Sequence, residues 1–222
     1  YSLKLSETFS GAVTGRYISS NLQLPQDDEG KANSIAFDLS GYYQSEIMQN
    51  DGFDGRFRAG FAVQNIGPKI SYTDDAVSES FLPTNLRLGV GYDFILDQFN
   101  KVSVYGETSK LLVPSHEYPT FIDKNGDGIR NADEPVNFKQ NEYRDQSWGG
   151  GIFSSFGDAP GGFSEEMKEF TWSLGAEYLY QDSFAFRVGY FNESEMKGAR
   201  KYATLGAGFK YNIVNVDVSY LF

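Results

Sequence analysis

The chain has 222 residues, a formal net charge of −11 at pH 7 and no cysteine. The acidic balance excludes a nucleic-acid binder, which needs a basic face for phosphate. The missing thiols exclude a disulfide framework and a thiolate metal site. With 19 Phe, 15 Tyr and 24 Gly against 3 Met, strands and turns are expected more than helices.

Taken in chain order, period-two alternation predicts about ten strands, over 1–6, 9–20, 34–46, 56–66, 84–95, 100–111, 171–181, 184–193, 200–211 and 213–222. In the fifth, Leu86, Leu88, Val90, Tyr92 and Phe94 alternate with Arg87, Gly89, Gly91 and Asp93. Trp172, Leu174, Ala176, Tyr178 and Tyr180 repeat the pattern in the seventh, and Val214, Val216, Val218, Tyr220 and Phe222 in the last. Most of these runs have the roughly 9–11 residues that a tilted strand needs to cross a bilayer, and no run approaches the roughly 20 apolar residues of a spanning helix. The mean hydropathy of −0.43 does not argue against a membrane, because a barrel places its apolar residues at every second position.

A β-sandwich also alternates, and three details separate the two. The smaller-residue face carries charges of both signs, Arg16, Asp38, Arg58, Arg87, Asp93, Glu107, Glu177, Arg187 and Asp217, as a wet lumen would. Tyr17, Tyr43, Phe94, Trp172, Tyr190 and Phe222 fall near strand ends, where an aromatic girdle belongs. Short links (6–9, 95–100, 181–184, 211–213) alternate with longer ones (20–34, 66–84, 111–171, 193–200), with 46–56 intermediate and assigned to the short set. The expected fold is an all-β transmembrane antiparallel barrel in a bacterial outer membrane, with long extracellular loops. Residues 1–222 form one barrel domain, and 112–170 form a long extracellular loop insertion. On this bookkeeping Phe222 ends on the outer side, so further strands are expected before and after this stretch to close the edges.

The sharpest local motif is Asp123-Lys124-Asn125-Gly126-Asp127-Gly128-Ile129-Arg130-Asn131-Ala132-Asp133-Glu134. It fits the twelve-position calcium loop, with side-chain oxygens from Asp123, Asn125 and Asp127, a carbonyl from Ile129, a direct or water-bridged oxygen from Asn131 and a bidentate carboxylate from Glu134. Pro119 and Pro135 argue against flanking helices. The alternative is a solvated Asp/Asn/Gly loop without metal. His116 is the one histidine, so a zinc site or a Ser-His-Asp triad is not expected. No carboxylate pair stands out as catalytic, and the chain is expected not to be an enzyme. Gly149-Gly150-Gly151 and Gly157–Gly162 read as loop and turn. Ser164-Glu165-Glu166 reads as the start of a short helix capped by Ser164, with Met167 and Phe170 on one face that packs on the barrel rim or meets a partner.

Several strings together resemble a known family: Asn65-Ile66-Gly67-Pro68-Lys69-Ile70-Ser71-Tyr72-Thr73-Asp74-Asp75, Phe81-Leu82-Pro83-Thr84-Asn85-Leu86-Arg87-Leu88-Gly89, Ser155–Phe163, Arg187–Phe191, Gly198–Tyr202 and Gly206–Tyr211. They are similar to the PorV (LptO) family of FadL-like outer-membrane barrels. The resemblance implies a fourteen-stranded barrel and a place in a type IX secretion system. It implies a shuttle that binds secreted cargo by a C-terminal signal domain and passes it from the translocon channel protein to a surface attachment complex. FadL-like relatives also imply the alternative of a transporter for hydrophobic small molecules. The name LptO implies a link to lipopolysaccharide deacylation, for which the sequence offers no nucleophile and base. Apart from candidate calcium no cofactor is expected, and no family motif assigns cargo-contact residues.

Overall fold

The computed structural model describes residues 1–23, 29–72, 79–115, 120–121, 136–137 and 145–222. Its strands are β1 (Ser2–Lys4), β2 (Phe9–Gln23), β3 (Glu29–Gln44), β4 (Met48–Asn50), β5 (Phe53–Ile66), β6 (Asn85–Ile95), β7 (Asn100–Leu111), β8 (Thr120–Phe121), β9 (Val136–Asn137), β10 (Phe170–Tyr180), β11 (Phe184–Asn192), β12 (Lys201–Tyr211) and β13 (Val214–Leu221). Ten of them follow one another in a single antiparallel sheet, β1-β2-β3-β5-β6-β7-β10-β11-β12-β13. Short β4 pairs only with β5, and β8 with β9 makes a separate hairpin. The sheet is open, with β1 and β13 at its two edges.

All ten predicted strands are present. The largest differences lie in the first long hairpin, where β2 continues to Gln23 and β3 starts at Glu29. Polar Ser, Asn, Lys and Gln in that stretch hid strands that the backbone ladder extends beyond the apolar pattern. The tight turns carry their own chemistry. At one, the Asp97 carboxylate accepts the N–H groups of Phe99 (2.7 Å) and Asn100 (2.8 Å). At another, Gln181 and Asp182 both adopt positive φ, 52° and 50°, as a hairpin matching the right-handed strand twist requires.

The two faces of this sheet are unlike. Leu88, Val90, Phe186 and Val218 are 44%, 55%, 59% and 67% exposed, so they do not meet in a dry two-layer core. Among the described residues the buried apolar set is Ala32, Ala36, Leu82, Leu112, Ala159 and Ala185, far too little for a soluble sandwich of this size. Aromatic residues border the apolar band in rows. Trp172 and Tyr190 pair at 5.6 Å near one end of the strands, while Tyr92 with Phe94 (4.8 Å) and Phe184 with Phe209 (4.9 Å) lie toward the short turns.

Two short helices, α1 (Trp148–Ser154) and α2 (Phe163–Glu166), lie in the long β7–β10 link, and a 3₁₀ turn (Met167–Glu169) leads into β10. The glycine run 149–151 is therefore helical, not loop. Ser147 caps α1 by accepting the Gly150 N–H at 3.0 Å, and Gly151 is buried against Phe81 and Pro114, where a Cβ would stand 2.8 and 2.9 Å away. The second helix starts one residue before the expected cap. Gly162, with φ 69°, precedes it, and Glu165 accepts the Gly161 N–H at 2.7 Å. That glycine turn sets the helix entry, so Ser164 is not its N-cap.

Candidate functional site

The smaller-residue face holds all nine charges assigned to it by alternation, and every one is ion-paired with another of the nine. Arg16 pairs with Asp38, Arg58 with Asp93, Arg87 with Glu107 at 3.4 Å, and Arg187 with both Glu177 at 2.6 Å and Asp217. Strand registry sets Glu177 directly opposite Arg187, while Arg16–Asp38, Arg58–Asp93 and Arg87–Glu107 are diagonal neighbours on adjacent strands; Ser103, opposite Asp93, donates its hydroxyl to it at 2.7 Å. Cross-strand neighbours of opposite sign on one face attract.

The upper end of this face is covered. A bulge between β3 and β5 puts Asn65 at φ 59°. Its N–H donates to Asp38 (2.9 Å), its side-chain oxygen accepts from Arg16 (3.0 Å), and its side-chain NH₂ donates to the Pro83 carbonyl (3.1 Å). Asn65 thus ties β2 and β3 to the start of β6. The chain then crosses the charged face of β3. Ser34 donates to the Pro68 carbonyl at 3.2 Å and Tyr72 donates to Ser20 at 3.0 Å, while Ala32, Ser34 and Ala36 beneath are buried. Gly67 is fixed by this close approach, since a Cβ there would lie 2.1 Å from the Ile35 carbonyl.

The long β7–β10 link is fastened by a buried cation. Lys110 lies on the apolar parity of β7, with Val102, Val104 and Thr108, opposite Leu86 and Phe170. It is 1% exposed. Its ammonium donates to Glu166 at 2.6 Å and Glu169 at 2.5 Å and lies 5.3 Å from the Phe170 ring centroid. Glu169 accepts also from Ser115 (2.9 Å) and Lys197 (2.9 Å), and Lys197 reaches Glu165 (3.2 Å). Glu166 takes the Ala159 N–H at 3.2 Å, and Asp158 takes the Ser115 N–H at 2.8 Å. Three stretches, 110–115, 158–169 and the β11–β12 link, are thereby locked together.

Protonation follows from the contacts. Burial pushes the Glu169 carboxyl up, but hydrogen bonds from Lys110, Lys197 and Ser115 outweigh it and leave it below the usual carboxylate range. Lys197 is pushed down by burial and raised more strongly by Glu169 and Glu165, for a net rise. The Gly161 N–H and then Lys197 hold Glu165 low.

Around this clamp, large apolar side chains face outward. Phe153 and Phe163 are each 80% exposed, Met196 is 65% exposed, and Phe156, Met167 and Trp148 are also exposed. Met167 and Phe170, expected on one face, line the same concavity. The candidate calcium residues Asp123, Asn125, Asp127, Ile129, Asn131 and Glu134, and His116, lie outside the described residues. Among the described residues no cluster of three or more His, Cys, Asp or Glu is arranged to hold a metal. Sequence reasoning missed Lys110 and Asn65. A lysine on the apolar parity of β7 was the available signal for the first; the bulge that makes Asn65 a hub has no sequence period.

The chain is an all-β antiparallel meander with an exposed apolar face and an ion-paired opposite face, an arrangement compatible with a β-barrel. The family model of the type IX secretion system protein PorV matches residues 1–118, and the chain belongs to that family. It is thus a type IX secretion system protein. The matched span includes Asn65 and the segment it anchors; no curated protein matches the chain.

Proposed function

We propose that this chain is the wall and outer platform of an outer-membrane shuttle. On this reading the sheet belongs to a closed FadL-like barrel of fourteen strands, which pairs the edges now offered by β1 and β13, with the long links outside the cell. The shuttle binds secreted cargo by its C-terminal signal domain and passes it from the translocon channel to a surface attachment complex, without catalysing a reaction. One observation carries the proposal: exposed Phe153, Phe156, Phe163 and Met167 sit on a segment that buried ion pairs hold in place. A fixed apolar platform outside the membrane suits protein docking, since preorganisation lowers the ordering cost of binding.

Affinity purification of the intact protein from its membrane is the test. Cargo and a large channel protein should co-purify, and Phe153→Ser with Phe163→Ser should reduce cargo recovery. Recovery of the barrel alone with bound fatty acid would favour the transporter reading. That alternative draws on a pocket of about 380 Å³ on the charged face, floored by Gly60, Ala62, Gly89 and Gly91. Arg58, Arg87, Tyr105 and Glu107 line it too, which suits an acyl chain poorly.

Residues 123–134 are proposed to bind calcium, relieving repulsion between close carboxylates. Calcium should protect this stretch from protease in the wild type and not in Asp127→Ala. Equal cleavage with and without calcium in the wild type would leave a solvated loop.

A further inference from the structure

We propose that the concavity formed by Met167, Lys168, Phe170, Trp172 and Met196, with Lys201 at its margin, holds the phosphate-bearing headgroup of a membrane lipid beside the wall. The concavity has a volume of about 470 Å³. It sits where two environments meet. Its lower wall is Phe170 and Trp172, on the same face as exposed Leu174, Val188 and Leu205. Its upper rim is polar and comprises Asn192, Ser194, Glu195 and Lys201. A lipid has the same division, with acyl chains along the apolar face and a charged group at the girdle.

Charge accounting around the rim selects an anion. Lys110 is paired with Glu166 and Glu169, Lys197 with Glu165 and Glu169, Arg200 with Glu193, and Lys201 with Glu195. Lys168 is half-buried, and among the described residues its ammonium meets only the Met196 sulfur, at 3.3 Å. A thioether is a weak acceptor, so the Lys168 ammonium has no counter-charge among the described residues. A phosphate oxygen in the concavity would supply the missing charge-assisted hydrogen bond. Lys201 at the margin is neutralised by Glu195, 2.8 Å away, so the anion is held by Lys168. Tryptophan and methionine side chains below provide a surface for the glycerol and first methylenes.

This inference rests on the reading that the apolar face meets lipid, and the experiment separates the two. The intact protein is extracted in detergent and titrated with palmitoyl-oleoyl phosphatidylglycerol, with the matching uncharged diacylglycerol, and with free glycerol phosphate, bound molecules being counted by native mass spectrometry. Wild type should retain phosphatidylglycerol over diacylglycerol. Lys168→Ala should bind it about tenfold more weakly, Lys168→Arg should restore retention, and Lys210→Ala should leave it unchanged. Circular dichroism should show the strand content unaltered in each. Equal retention by wild type and Lys168→Ala would overturn the site, as would full displacement by glycerol phosphate, which would mark a free-phosphate site. A loss of protein partners in Lys168→Ala with lipid retention intact would also overturn it. Failure of the wild type to insert into liposomes would instead sink the membrane reading itself.

Discussion

The wall and the loop clamp use the same chemistry in different settings. At the exposed end of the wall's range, Arg87 and Glu107 are 50% and 46% exposed at the side chain, whereas Arg58 and Asp93 are 25% and 5% exposed. In the clamp, Lys110 is fully enclosed and its partners Glu166 and Glu169 are 6% and 13% exposed. Exposed pairs contribute roughly 0–1 kcal/mol because water and salt compete for both partners. A buried pair gains little over an apolar replacement, yet losing one partner strands an uncompensated charge. The wall charges therefore make one face compatible with water, and the clamp charges make one arrangement of the loops obligatory.

The largest expected effect comes from unpairing the clamp. Lys110→Ala leaves Glu166 and Glu169 enclosed without their shared cation, a loss of about 3–5 kcal/mol by the behaviour of broken buried pairs. It should be read as protease cleavage or hydrogen exchange within 145–169, with the strands still protected. The same readout has a pH dependence of known sign. Glu169 has its pKa lowered from 4.5, so its contribution is full above that value and disappears as pH falls through the lower folded-state value. Lys197 has its pKa raised from 10.5, so its contribution is full below that value and disappears as pH rises through the higher one. Protection of 145–169 should be flat across neutral pH and fall only at the acid and alkaline ends. A transition near pH 7 would contradict this assignment.

A smaller effect is expected where α1 meets the loop after β5. Gly151→Ala places a methyl group against Phe81 and the rigid ring of Pro114. Overpacking of about 1–3 kcal/mol is partly offset by about 1 kcal/mol of helix propensity, leaving a net loss near 1 kcal/mol. Gly149→Ala meets nothing within 4 Å and should instead stabilise α1 slightly. Denaturant or thermal melts of the two variants should move in opposite directions.

The smallest effect belongs to the wall. Arg87→Ala should change unfolding stability by no more than about 1 kcal/mol. A loss as large as that of Lys110→Ala would erase the distinction between the two regions.

How much of this was legible in sequence follows the same division. The wall was readable because a strand repeats every two residues, and the nine charges that share one parity in sequence share one face and one another in space. The clamp was not, because its partners are 56 and 59 residues apart along the chain and no local period links Lys110 to a carboxylate in a distant helical turn. Composition misled at 149–151, where a glycine run that looks like loop is helical and only Gly151 is required by the close approach of Phe81 and Pro114. The helix at 163 was foreseen in place but not in its cap, since Gly162 at positive φ sets the entry.

The central claim is that the apolar face of the sheet meets lipid and the charged face meets water. The chain has no cysteine, so single cysteines placed at Leu88, Val188 and Val218, and at Arg187 and Ser173, can report on each face directly in protein reconstituted into liposomes. Nitroxides attached at the first three should collide with oxygen dissolved in the bilayer and little with an aqueous nickel complex, and those at the last two should show the reverse. Leu88 and Val218 sites shielded from both reagents would place them in a dry core and contradict the account.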